Sequence, residues 1–204
     1  MPRLKTTLLV LAILVLGGAT VAFAGSGRGE RGGGGHRGDH GDHRGKGQHG
    51  KHGRHAVAAL TNAAGARVGR VWMHERRRDG GVAIFVRVRR VPPGFHGFHI
   101  HTTGRCDRPN FMTAGGHFNP AGASHNAHAG DLPSLLVNGD GKAILATVTD
   151  RFSISDLRDA DGSAVMVHSG PDNYANIPSR YGGPDPETRN TGDSGSRIAC
   201  GVVR

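Results

Sequence analysis

Between Gly94 and Asp131 the chain reads GFHGFHIHTTGRCDRPNFMTAGGHFNPAGASHNAHAGD, and the groups in it best able to do chemistry are imidazoles and a carboxylate. Six of the fourteen histidines fall in this stretch. His99 and His101 are separated by one residue, so on a strand both rings project from the same face. His117, His125 and His128 follow in a Gly/Asn/Ala-rich segment, and Asp131 stands three residues after the last of them. Nitrogen-rich ligand sets with one carboxylate suit borderline transition metals, copper and zinc above all. One histidine alone would read as surface or hydrogen-bonded core; five at these spacings read as a metal site. His96 lies on the opposite strand face from His99 and His101 and is not expected to be a ligand. His74, beside Glu75 on an earlier strand, is treated likewise.

The elements that must position these side chains are short strands. Ala56–Thr61, Arg67–Glu75, Val82–Val91, Phe95–His101, Leu135–Val137, Ala143–Thr149, Ala164–His168 and Arg197–Val203 each combine apolar or alternating residues. Turn signals separate them, at Asn62–Gly65, Asp79-Gly80-Gly81 and Asn138-Gly139-Asp140-Gly141. In the third run Val82, Ile84, Val86 and Val88 share one face while Arg87 and Arg89 take the other. Eight or so short strands, two long loops and no convincing amphipathic helix predict an all-β sandwich or barrel. Long loops in a compact domain are usually functional, and here they carry the candidate ligands.

Residues 1–24 read as a secretory signal: Arg3 and Lys5, an apolar run from Leu8 to Leu16, then Ala22-Phe23-Ala24 before cleavage. Export to a periplasm, cell envelope or extracellular space follows, with no membrane attachment after cleavage. Two cysteines in an exported chain, Cys106 and Cys200, are most simply one disulfide. It would tie the histidine-rich loop to the end of the chain. Residues 25–55 contain almost no apolar side chain and read as a disordered Gly/His/Arg-rich tail. Its histidines, His36, His40, His43, His49, His52 and His55, suit either a low-affinity collector of copper or zinc or a solvated linker. The formal charge of +10 is divided. The tail carries seven Lys/Arg against three acids, and residues 56–204 carry seventeen against thirteen. The main domain, 56–204, is therefore only mildly basic, and nucleic acid is not its expected partner.

Four runs together resemble the copper–zinc superoxide dismutases: Gly94-Phe95-His96-Gly97-Phe98-His99-Ile100-His101, Gly116-His117-Phe118-Asn119-Pro120, His128-Ala129-Gly130-Asp131-Leu132 and Gly195-Ser196-Arg197-Ile198-Ala199-Cys200-Gly201-Val202. The resemblance covers roughly residues 56 to 204. The short loop between His125 and Asp131 and the run Gly170-Pro171-Asp172-Asn173 are similar to the exported bacterial branch. The resemblance implies an eight-stranded antiparallel Greek-key barrel or sandwich with two long functional loops. It implies copper on His99, His101, His117 and His168, and zinc on His117, His125, His128 and Asp131, with His117 serving both. Only the resemblance singles out His168. Asp172 would bond one ligand of each metal, His99 and His125, and so orient them. Arg197 would guide the substrate, superoxide, in a dismutation to oxygen and hydrogen peroxide. The family's usual steering lysine is replaced by Asn190, with Arg189 adjacent and Glu187 in register, so the guiding charges depart from the pattern. The rival reading is a non-catalytic extracytoplasmic copper and zinc buffer on the same scaffold, which the His-rich tail favours; a copper-only dismutase is a lesser variant. A homodimer is compatible with the sequence, as is copper loading by a separate donor or by the tail itself.

Overall fold

The computed structural model describes residues 53–77 and 80–204. The signal read over 1–24, the tail up to His52, and Asp79 of the second turn lie outside the described residues. Eight antiparallel strands form one sheet: β1 (His55–Asn62), β2 (Arg67–Glu75), β3 (Val82–Val88), β4 (Gly94–His101), β5 (Asp131–Val137), β6 (Ala143–Thr149), β7 (Ala164–His168) and β8 (Arg197–Val202). Their order is β5-β4-β7-β8-β1-β2-β3-β6. The two end strands, β5 and β6, are consecutive in the chain and joined by a tight turn closed by Asn138 N–H to Lys142 O, 2.9 Å. The sheet thus curls into a nearly closed barrel, as the sequence led us to expect.

The interior is filled by the alternate residues of these strands, because a strand's side chains take opposite faces in turn. Leu60, Val71, Ile84, Val86, Phe98, Ile100, Leu135, Val165 and Val167 are all buried in one core. Boundaries differ from the sequence reading by one residue at β1, β4 and β8 and by more at β3 and β5. β1 begins at His55, one residue inside the segment read as tail. β3 stops at Val88 rather than Val91, because Arg90 adopts φ 58° ahead of Pro92. β5 begins at Asp131 rather than Leu135 and runs through Pro133. Proline is admitted there because β5 is a terminal strand whose pairing with β4 is offset between His96 and Phe98, at a bulge where a ladder N–H is dispensable.

The outer wall of β4, β7 and β8 has a second, smaller core. Phe111 and Ala114, from the loop between β4 and β5, pack with Ala164, Met166 and Cys200. Fully burying a phenylalanine such as Phe111 contributes roughly 1.5–3 kcal/mol. The Cys106–Cys200 disulfide fastens the same loop to β8 across 94 residues of chain. The long loop is therefore folded back against the barrel wall.

The loop is also stitched to the end of β4 by backbone bonds. Phe118 N–H donates to Ile100 O (2.8 Å), Ile100 N–H to Gly130 O (2.9 Å) and Thr102 N–H to Gly116 O (3.0 Å). At Gly130 any Cβ would collide with the Ile100 carbonyl, so this close approach requires glycine.

The double variant Cys106→Ala/Cys200→Ala should lose roughly 4–5 kcal/mol of stability, the loop-closure entropy of so long a bridge. Urea unfolding of the variant against the oxidised protein measures it.

Candidate metal centre

The histidines meet on the outside of the barrel, under the two long loops. His99 and His101 lie on the face of β4 opposite to the core residues Phe98 and Ile100. Across the ladder, His99 pairs with Met166 and His101 with Ala164 on β7. His168 is two residues beyond Met166, so the strand's period of two sends it to the same face. The next ladder, β7 to β8, shifts register at His168 and sets Arg197 directly opposite it. His117 comes from the folded-back loop, in a short bridge with His101.

Two groups of four result. In each, one ligand atom per residue lies within 4.8 Å of all the others: His99, His101, His117 and His168 in the first, and His117, His125, His128 and Asp131 in the second. Every member is buried. His101 Nε2 and His168 Nε2 are 3.4 Å apart. In the second group Asp131 Oδ1 is 2.9 Å from His117 Nδ1 and 3.3 Å from both His125 Nδ1 and His128 Nδ1. Only His117 belongs to both.

Each ring is oriented by what its other nitrogen touches. His101 Nδ1 donates to Gly115 O at 2.9 Å and His168 Nδ1 to Gly195 O at 3.1 Å, which leaves both Nε2 atoms facing inward. Asp172 accepts from His99 Nε2 through Oδ2 and from His125 Nε2 through Oδ1, each at 2.7 Å. One carboxylate therefore joins a ring of the first group to a ring of the second. Its Oδ1 also accepts from Tyr174 N–H at 2.7 Å. Gly192, at φ 60°, lies so close that a Cβ there would overlap Asp172 Oδ1 and His125 Nε2. Fixing a ligand's far N–H in this way orients the ring and raises its basicity.

The electrostatics suit a cation. Burial holds His99 at about 4 and His168 at about 3, helped by neighbouring imidazoles, so these rings stay neutral with a free lone pair. Burial lowers His101 and His128 as well. Burial acts the same way on His125, but contacts with Asp131 and Asp172 outweigh it and lift the ring to about 9. Burial would raise Asp131 and Asp172, yet their imidazole partners pull both well below the usual carboxylate range. His99 Nδ1 and His125 Nδ1 are buried with no hydrogen-bond partner. An orphaned polar atom of that kind costs about 1–3 kcal/mol. A metal ion in each group would satisfy them, and the donor sets fit: four imidazoles for copper, three imidazoles and a carboxylate for zinc.

A cavity of about 510 Å³ reaches the first group; His101, His117, His168 and Arg197 line it, as do Glu187, Asn190, Thr191 and Asp193. Arg197 is half-buried, and its guanidinium donates to Phe111 O (2.7 Å) and Gly115 O (2.6 Å). Glu187, Asn190 and Thr191 belong to a short helix, α1 (Pro186–Thr191), that our reading of the sequence missed. Its signals were present: Asp185 caps it by accepting from Thr188 N–H, Pro186 opens it and Gly192 ends it at positive φ. The two histidines set aside as ligands lie outside both groups. His96 is buried between the carbonyls of His168 (2.7 Å) and Pro92 (2.8 Å). His74 is exposed on β2 beside His55.

The family model for copper/zinc superoxide dismutase matches residues 67–203. A copper–zinc superoxide dismutase of Mycobacterium tuberculosis is 44% identical over 133 residues, 57% of this chain and 55% of the relative. The chain thus spans little more than half the length of that relative. The crystal structure of a superoxide dismutase-like protein from Bacillus subtilis superposes with a TM-score of 0.61 at 36% identity, covering 74% of this chain and 97% of the other. The copper/zinc enzyme of Brucella abortus gives 0.59 at 30% identity, covering 74% and 99%.

The metal-free chain should lose stability as pH falls below 6.5. From there down to about 3 the unfolded chain takes up protons that folded His99 and His168 refuse, and His101 and His128 act in the same sense. His125 opposes them: its contribution is complete below 6.5 and is lost as pH rises through 9. Each net proton is worth about 1.4 kcal/mol per pH unit. The urea midpoint of metal-free protein should therefore drop between pH 7 and pH 5; a flat midpoint would contradict the buried neutral rings.

Proposed function

The chain belongs to the copper/zinc superoxide dismutase family, and from that premise we propose that it converts two superoxide ions and two protons into oxygen and hydrogen peroxide. His99, His101, His117 and His168 would hold copper, and His117, His125, His128 and Asp131 would hold zinc. The chemistry these metals supply when bound is a one-electron couple at copper and a fixed positive charge at zinc. The observation that carries the reading is the position of Arg197 in the wall of the cavity that ends on the first histidine group.

The side chains divide the remaining work. Arg197 presents positive charge along the approach, and two carbonyl acceptors hold its guanidinium still. An anion entering the cavity is drawn toward it. Glu187 and Asp193 line the same cavity, so its charge is mixed and Arg197 is the cation among the lining residues. His117 commits Nδ1 to Asp131. Its Nε2 is then the atom that can hold a proton on the side of the first group. Asp172 keeps the rings of His99 and His125 in register with each other.

The finer claims belong to the same reading. Export rests on the leader over residues 1–24 and on the disulfide, which persists in oxidising compartments. The alternative, a non-catalytic holder of copper and zinc, draws on the histidine-rich segment and on the relative described only as superoxide dismutase-like. Against it, a holder has no use for an arginine clamped beside the cavity.

Pulse radiolysis of the metal-loaded protein tests the proposal. Arg197→Glu should lower kcat/KM roughly tenfold or more at low ionic strength and abolish its decline with added salt, while Arg197→Lys retains part of both. Copper and zinc content should equal that of the wild-type protein. Undiminished turnover in the glutamate variant would remove Arg197 as the guide; no turnover in the wild-type protein with both metals bound would favour the holder.

A further inference from the structure

A second pair of imidazoles stands apart from both inner groups. His55 on β1 and His74 on β2 are directly opposite each other in the antiparallel ladder. Both are exposed, while their chain neighbours Ala56 and Met73 point into the core. The two rings stack with centroids 4.3 Å apart and planes at 27°. Their Nδ1 atoms are 3.1 Å apart.

That separation is informative. Two nitrogens on one ion, each bound at about 2.0–2.1 Å, stand about 2.9 Å apart in a square arrangement and about 3.4 Å apart in a tetrahedral one. The observed gap lies between the two. The backbone under the pair is fixed as well. Arg158 donates to Gly53 O (3.0 Å) and His55 O (2.7 Å), and Glu75 N–H donates to Arg54 O (2.9 Å). Little ordering is left to pay for when a ligand arrives.

We propose that His55 and His74 form a third, surface site for a borderline divalent metal such as copper(II), nickel(II) or zinc(II). Each ring gives Nδ1, and water completes the coordination. In the metal-free pair one Nδ1–H donates to the other Nδ1. With the ion bound, both rings adopt the Nε2–H tautomer, so no net proton is released. Among the described residues neither Nε2 has a protein partner, so that tautomer breaks no contact. The site stands where β1 begins, at the last histidine of the Gly/His-rich segment.

The test uses the full chain with copper and zinc already loaded, titrated with nickel(II) chloride and followed by two-dimensional amide NMR. Paramagnetic broadening should reach residues 55–57 and 72–75 at substoichiometric nickel. In His74→Ala, and separately in His55→Ala, the nickel needed for that broadening should rise at least tenfold. Both side chains are exposed, so the two variants should fold. Broadening confined to residues before 53, or the same strand broadening in wild type and both variants, would overturn the site.

Discussion

Six imidazoles and two carboxylates are packed into one buried region, with their lone pairs converging at 3.3–3.4 Å. This crowding is the constraint to which the rest of the structure answers. Rings so placed cannot all find hydrogen-bond partners, and two of their nitrogens, His99 Nδ1 and His125 Nδ1, have none. Protonating His99, His101, His128 or His168 beside His125 would put like charges side by side in a place that burial already makes hostile to charge. A cation in each group resolves the conflict, and Asp131 and Asp172 remain ionised to offset it. Removing one buried charged partner from such a network leaves its neighbours uncompensated, which is strongly destabilising.

The fold responds by making the barrel wall a rigid backing. β4 carries core residues on one face and His99 and His101 on the other, so the same strand that seals the interior also aims two candidate ligands. The loop from β4 to β5 brings the other histidines to that wall and is held by Phe111, the disulfide and its backbone bonds to β4. Arg197 links these parts. Its guanidinium and the His101 ring share one acceptor, Gly115 O, so the residue proposed to guide superoxide also helps fix the orientation of a proposed ligand. A substitution there acts on both, which is why the lysine variant is informative beside the glutamate.

Much of this was legible in the sequence, for reasons that differ from residue to residue. His99 and His101 show the period of two directly, and Val82 to Val88 show it for the barrel interior. The alternation also placed most strands within a residue or so. His168 was not legible from its neighbours, because Val165-Met166-Val167 offers only a buried strand; its role depends on pairing across to β4, a contact 67 residues away in the chain. Asp172 is silent for the same reason, since its meaning lies in bridging His99 and His125. Helix α1 was missed because six residues are too few to show a helical period, although its capping residues were in plain sight. The start of β5 was misplaced because Pro133 argues against a strand until its position at a terminal bulge is known.

The account turns on His117 standing in both groups at once. Anomalous diffraction from crystals of the metal-loaded protein, recorded on both sides of the copper and zinc edges, tests this most directly. The expected result in the buried region is two ions, copper among His99, His101, His117 and His168, zinc among His117, His125, His128 and Asp131, with the His117 ring between them. A single ion, or a His117 ring turned away from either ion, would contradict it.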